Sequence, residues 1–177
     1  CIRDRMKLVR DVLANLKTHF PEYDGRGYEL TGFGWHQGWN DRVNQAFNDE
    51  YETNLANFIR DVRREFKSPK MPVVIGQMGH GGLVEEIKED SPRDYIKKAQ
   101  AAVANYPEFQ GNVLCVKTDQ FWDMDAHAIY TGPGGWSKDI ESWRRFGNDR
   151  PYHYHGSPWF FAQVGTAFGK AMLEMAN

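Results

Sequence analysis

The sequence contains few cysteines, no long apolar run and no excess of charge of either sign. Only Cys1 and Cys115 occur among the 177 residues, which is too few for a disulfide scaffold. No apolar run approaches the roughly 20 residues that a membrane-spanning helix needs. Lys and Arg number 22 against 24 Asp and Glu, a net charge of -2, so neither a nucleic acid nor an anionic membrane is indicated as a partner.

The composition is that of one globular domain. Hydrophobic residues make up 41% of the chain, aromatic residues 14% and charged residues 26%. Disordered chains have far less apolar content for their charge, so this composition excludes general disorder.

Apolar periodicity predicts an alternation of helices and strands. The predicted elements are helices over about 3–19 and 49–66, strands over 28–35, 73–75 and 112–117, and helices that open at Ser91-Pro92 and Ser157-Pro158. Strands that alternate with helices indicate an α/β fold, a parallel sheet with helices on both faces. Such sheets usually have about five strands, and only three are predicted here. We therefore expect further N-terminal strands of the same domain to lie outside this chain.

Polar side chains follow the first predicted strand. The candidate binding residues of this loop are Trp35, His36, Gln37, Gly38, Trp39, Asn40 and Asp41. The carboxamides of Gln37 and Asn40 are neutral hydrogen-bond donors of the kind that stabilises a developing oxyanion. In the alternative interpretation these two residues bond loop backbone groups, and the two tryptophans pack in the core.

A second polar segment, residues 149–157, precedes the last predicted helix. If it is extended, His153 and His155 point to the same side, as in H-x-H metal sites. If instead one histidine is a general base for a nucleophile, Asp149 or the carbonyl of Pro151 would fix its tautomer. A third interpretation is that both histidines only make loop hydrogen bonds.

The same two segments, together with the last predicted helix, carry a resemblance to a known family. Residues 35–41 read W-H-Q-G-W-N-D, residues 152–156 read Y-H-Y-H-G, and the helix that follows contains G-T-A-F-G-K-A-M at 165–172. The sequence resembles the sialate O-acetylesterase-like branch of the SGNH hydrolases. That branch has a W-x-Q-G-E or W-x-Q-G-W-N-D block and closes with a Y-H-Y/W-x-G segment before a similar helix.

The resemblance implies a three-layer α/β/α serine esterase that needs no cofactor and removes acyl groups, typically acetyl, from carbohydrate hydroxyls. Gln37 matches the family's oxyanion donor and His153 its catalytic base. The chain departs from the pattern at Trp39, where many members have Glu, and at Asp149, which lies four residues before His153 and not three. A Ser-His dyad supported by a backbone carbonyl is therefore an alternative to a triad that contains Asp149.

The family's nucleophilic serine lies in a G-Q-S-N-like turn near the start of the domain. None of the serines of this chain has such a setting: Ser68, Ser91, Ser137, Ser142 and Ser157. We expect residues 1–177 to be the C-terminal part of a single esterase domain whose N-terminal portion supplies the serine. The alternatives are a non-catalytic carbohydrate-binding or scaffolding domain and a metal-dependent hydrolase that uses His153 and His155. Because family members are often exported, we expect a periplasmic or extracellular location.

Overall fold

A computed structural model describes residues 2–147 and 152–176. The helices are α1 (Ile2–Ala14), α2 (Leu16–His19), α3 (Gln45–Glu65), α4 (Pro92–Ala104), α5 (Met124–Thr131), α6 (Ile140–Phe146) and α7 (Pro158–Ala176). The strands are β1 (Phe33–Trp35), β2 (Val73–Gln77) and β3 (Val113–Lys117).

The three strands form one parallel sheet in the order β1-β2-β3. Phe33 pairs with Val73, and Val73 pairs in turn with Val113, so the strands start level with one another. Every residue of the central strand β2 is buried, as its short, wholly apolar run predicts. The three predicted strands are confirmed, although β1 is confined to the last three residues of its predicted range.

Helices α3 and α4 cover one face of the sheet. Asn44 caps α3 by accepting a hydrogen bond from the amide of Ala46 at 3.0 Å, and Ser91 caps α4 through the amide of Asp94 at 3.3 Å. The main core lies between these helices and the sheet, and its members include Tyr51, Leu55, Phe58, Ile59, Val62, Ile75, Ile96 and Val103.

Helix α7 packs on the opposite face. Neighbouring strand residues point to opposite faces, so Ile75 faces the main core and Gly76 faces α7. A Cβ atom added at Gly76 would lie 2.7 Å from Cδ2 of His36 and 3.0 Å from Cζ of Phe168. The bare backbone at Gly76 thus lets both rings lie directly on the sheet. With helices on both faces, the fold is the predicted α/β sandwich.

Two helical details differ from the sequence-based prediction. The helix expected over 3–19 is interrupted at Asn15, whose φ of -125° and ψ of 36° separate α1 from α2. Helices α5 and α6 lie in the stretch between β3 and residue 147, where the sequence predicts only a connection. The carboxylate of Asp123 starts α5 by accepting hydrogen bonds from the amides of Asp125 and Ala126 at 3.1 and 3.0 Å. A cap and aromatic neighbours, and not an apolar stripe, account for this short helix.

Within the two described ranges, every helix is too short or too polar to cross a bilayer. Cys115 lies in β3 as a free thiol, and burial raises its pKa to about 11. The thiol is therefore protonated at neutral pH and packs as a small apolar group.

Candidate active site

The loops that follow the three strands meet at the carboxyl edge of the sheet. Gln100 of α4 is fully buried and joins two of these loops. Its Nε2 donates to the carbonyl of Gln37 at 2.8 Å, and its Oε1 accepts from the amide of Met78 at 2.7 Å. The hydroxyl of Tyr51 donates to the same Gln37 carbonyl at 2.6 Å. Two buried side chains thus fix the backbone from which the Gln37 side chain projects.

The Gln37 side chain is exposed, and its carboxamide is oriented by Asp41. Its Nε2 donates to Oδ2 of Asp41. A carboxamide nitrogen has two hydrogens, so one remains free after this bond. Gln37 and Asp41 also line a cavity of about 360 Å³ between β1 and α3.

Gly38 is required by the backbone conformation of this loop. Its φ of +154° lies in a region that side chains disfavour, and an added Cβ would stand 2.8 Å from Cγ2 of Ile96. The loop therefore lies close against α4 at this point.

His153 lies against the same loop. Its ring meets the ring of Trp39 edge-on, with 5.4 Å between centroids and an interplanar angle of 83°. The imidazole is exposed, so it is accessible to a substrate. The structure therefore brings together two of the segments that carry the family resemblance, although they are separated by more than 100 residues.

The segment that contains His153 is a left-handed turn. The φ angles of His153, Tyr154, His155 and Gly156 are 44°, 65°, 59° and 62°. Left-handed conformations cost non-glycine residues about 1 kcal/mol each, so the surrounding packing must hold this turn. The ring of Tyr154 stacks on Phe160 of α7 at 4.2 Å and 8°, which supplies part of that packing.

The turn separates His153 from His155. His155 is only 3% exposed and packs among the rings of Trp122 at 4.5 Å and Trp143 at 5.5 Å. The metal interpretation requires an extended segment with both imidazoles on one side, and this backbone is not extended. Among the residues that the structure describes, no group of three His, Cys, Asp or Glu side chains could hold a metal ion.

Three histidines near the site have lowered pKa values. Burial lowers the pKa of His155 to about 4, and the neighbouring His127 acts in the same direction. Burial also lowers the pKa of His80 to about 4 and that of His36 below its ordinary value. His36 stacks on Tyr154 at 5.1 Å and 28°, inside the molecule. All three are neutral at pH 7 and act first as packing groups.

The remaining predicted site residues do not share one environment. Trp35 packs in the core against Phe58 at 4.7 Å and also lines the cavity beside Gln37. Asn40 is exposed at the start of the short 3-10 helix Asp41–Val43, and its side chain makes no capping hydrogen bond. Asp149, the candidate triad acid, lies outside the described residues.

Two of the serines have structural roles. Ser157 is fully buried, and its hydroxyl donates to Asp123 and accepts from the amide of Phe160 at 3.2 Å. This residue links the start of α5 to the start of α7. Ser91 caps α4, as described above. Both hydroxyls therefore serve as helix caps.

Sequence reasoning missed Gln100 and the pairing of Trp39 with His80. The signal for Gln100 was present, because it occupies the apolar stripe of α4 between Ile96 and Val103. A polar residue in an apolar stripe indicates a buried hydrogen-bonding role. His80 packs on Trp39 with 4.2 Å between centroids, and no sequence pattern marks that contact.

A parallel α/β sandwich whose polar loops converge at the carboxyl edge of its sheet defines a class of ligand-binding and catalytic domains. Residues 5–131 match the family described as carbohydrate esterase, sialic acid-specific acetylesterase. The match covers well over half of the chain, and the chain belongs to this family of carbohydrate esterases. The matched range includes the Gln37 loop and stops before His153. Comparisons with curated proteins and with solved structures found no match.

Proposed function

We propose that this chain supplies the oxyanion donor and the general base of a carbohydrate O-acetylesterase whose serine nucleophile lies outside these 177 residues. Membership of the carbohydrate esterase family supports the reaction class. The observation that carries the assignment of residues is the contact of His153 with Trp39, which brings an exposed imidazole to the loop of Gln37.

In the proposed reaction, the serine hydroxyl attacks the acetyl carbonyl carbon while His153 accepts the hydroxyl proton. The ester carbon–oxygen bond then breaks, the sugar oxygen takes the proton from His153, and an acetyl-serine remains. Water, deprotonated by the same imidazole, attacks this ester and releases acetate and the free serine. The reaction is a hydrolysis and needs no oxidant or reductant.

The free amide hydrogen of Gln37 and the backbone amide of Gly38 would donate to the oxygen that becomes negative in each addition. Asp41 would act as a positioning residue, because its carboxylate holds the Gln37 carboxamide with the nitrogen in place. Trp39, whose ring contacts His153, would pack against the carbohydrate.

The sheet edge beside β1 supports a nucleophile from outside this chain. Among the described residues, β1 pairs with β2 alone, so its other edge is open to a further parallel strand. A strand on that edge would end beside Gln37, where a serine in the following turn could reach the substrate.

The test is acetate release from peracetylated glucose, measured for two forms of the protein. The 177-residue chain should release none, whereas the chain extended by the preceding part of its coding sequence should release acetate. Acetate release by the short chain would contradict the external nucleophile. Absence of release by the extended form, with sugar binding retained, would instead favour a non-catalytic carbohydrate-binding domain.

A further inference from the structure

A cavity of about 580 Å³ lies beside the end of α3, at the amino edge of the sheet. Asn112, the residue that precedes β3, is part of its lining. The proposed active site lies at the opposite, carboxyl edge of the same strands. We call this space the basic cavity, and its charged lining consists of Arg60, Arg63, Arg64, Lys67, Lys70 and Glu108.

Arg63 is a buried cation whose charge is not paired. It is 7% exposed, and among the described residues no carboxylate forms an ion pair with it. Its Nε and Nη2 donate to the carbonyl of Met71 at 3.1 and 2.8 Å. Nη2 also donates to the carbonyl and the side-chain oxygen of Asn112, at 3.1 and 2.5 Å. These neutral oxygens satisfy donors without cancelling the charge.

One nitrogen of the Arg63 guanidinium remains available to a ligand. Within the described ranges, every hydrogen bond of this group comes from Nε or Nη2, so both hydrogens of Nη1 are unused. The guanidinium carbon stands 5.3 Å from the centroid of the buried Phe109 ring, which supports it from one side. The group is thus held in place by the bonds to Met71 and Asn112 and by this ring.

The other two arginines of the basic cavity have carboxylate partners. Nε of Arg60 donates to Oε2 of Glu108 at 3.3 Å, and its Nη2 donates to Oε1 of the same carboxylate. Arg64 pairs with Asp61 one turn earlier in α3. Glu108 is therefore already neutralised and does not oppose an anion in the cavity.

Lys67 and Lys70 add two further unpaired charges. Both are exposed, and neither has a carboxylate partner within the described ranges. The dipole of α3 favours cations in its last turn, which accounts for Arg63 and Arg64. That effect ends with the turn and does not reach Lys70. Three positive charges thus surround the basic cavity without a counter-charge.

Three cations around one cavity match a multiply charged oxyanion, whose several oxygens can each accept from a different donor. We propose that the basic cavity binds a phosphate group, either as the free ion or as the monoester of a small molecule. Nη1 of Arg63 would donate to one oxygen, and the ammonium groups of Lys67 and Lys70 would contact the others. This inference does not rest on the esterase proposal, because the two sites share no residue.

Titration calorimetry of the 177-residue chain at low ionic strength and mildly alkaline pH tests the proposal. The probes are inorganic phosphate and glycerol phosphate, and acetate is the control with a single charge. Each phosphate probe should bind at least about tenfold more tightly than acetate, because a dianion interacts more strongly with three cations. Tighter binding of glycerol phosphate would identify a monoester as the ligand, and tighter binding of inorganic phosphate would identify the free ion.

The double variant Lys67→Gln with Lys70→Gln should weaken phosphate binding by at least about fivefold. The matched control is Lys138→Gln with Lys170→Gln, which removes the same charge from two exposed lysines outside the cavity. It should bind phosphate within about twofold of the parent chain, because those charges are distant and screened. Circular dichroism checks that both double variants fold, as the exposure of all four lysines predicts.

Three results would each overturn the proposal: no measurable binding of phosphate, equal affinity for phosphate and acetate, or an equal effect of the two double variants. None of them bears on acetate release by the extended chain, which depends on the opposite edge of the sheet. A failure of the esterase proposal would likewise leave phosphate binding unchanged.

Discussion

Gln100 donates from Nε2 to the backbone carbonyl of Gln37 at 2.8 Å, although the two residues belong to different elements and lie 63 positions apart. The same side chain accepts from the amide of Met78 at 2.7 Å. One buried carboxamide of α4 therefore fixes the loops that follow β1 and β2. The position of the Gln37 side chain depends on this bond and on that from Tyr51.

Gln100→Leu should destabilise the fold by about 1–3 kcal/mol, because it leaves the buried amide of Met78 without an acceptor. Urea unfolding followed by circular dichroism measures the change. Gln45→Leu is the matched control, since Gln45 lies exposed in the first turn of α3 and should change stability by at most about 0.5 kcal/mol. Equal stabilities of the two variants would contradict a buried bridging role for Gln100.

Ser157→Ala should lower the free energy of unfolding by about 1–3 kcal/mol. The substitution removes both the cap of α7 and the hydrogen bond to the buried Asp123. Ser137→Ala, at an exposed serine, serves as the control. Thermal unfolding of the two variants measures the difference. If the unfolding midpoint of Ser157→Ala equals that of the parent chain, the link between α5 and α7 does not stabilise the fold.

Acid should destabilise the protein through its buried histidines. The pKa of His155 is about 4 in the folded chain and 6.5 in the unfolded chain, so between these values the unfolded state binds more protons. Stability contributed by this difference is complete above pH 6.5 and falls as the pH drops towards 4. At pH 5 the loss from His155 alone is about 2 kcal/mol relative to pH 7.5.

The variant His155→Phe removes this titration and keeps an aromatic ring in the site. Urea unfolding at pH 7.5 and pH 5 should show a smaller loss for His155→Phe than for the parent chain, by about 2 kcal/mol. His19→Gln, at an exposed histidine, should keep the parent's dependence on pH. If His155→Phe and the parent chain lose equal stability on acidification, His155 is not the group responsible.

The sheet and its covering helices could be predicted from the sequence because their signals are repeated. The buried stripe of α3 and the wholly apolar strand β2 each depend on several residues, so one ambiguous position does not change the assignment. Helices α5 and α6 have no such stripe. Asp123 and Asp139 start them, and capping residues alone do not distinguish a short helix from a turn.

The site could be predicted in its parts but not in its arrangement. The loop around Gln37 follows a strand that the sequence predicts. For the His153 segment, the sequence does not distinguish an extended backbone from a turn. Positive φ angles at Tyr154 and His155 are set by tertiary packing against Trp122 and Phe160, which local sequence does not reveal.

The proposed oxyanion role predicts the effect of two substitutions in the extended, active form of the protein. Gln37→Ala should lower kcat by about 100-fold or more with little change in KM, because the lost hydrogen bond forms mainly in the transition state. Asp41→Asn should give a smaller decrease, since Asn can hold the Gln37 carboxamide in either orientation. Steady-state acetate release measures both, and a full kcat in Gln37→Ala would remove this residue from the mechanism.

The most direct measurement is the rate of acetate release by the extended protein when His153 is replaced. His153→Ala should reduce kcat by at least about 1000-fold, because no other imidazole described at the site is both exposed and in contact with the Gln37 loop. Tyr152→Phe, the neighbouring exposed control, should retain the parent's rate. A His153→Ala protein that folds and turns over within twofold of the parent would contradict the central claim that His153 is the base.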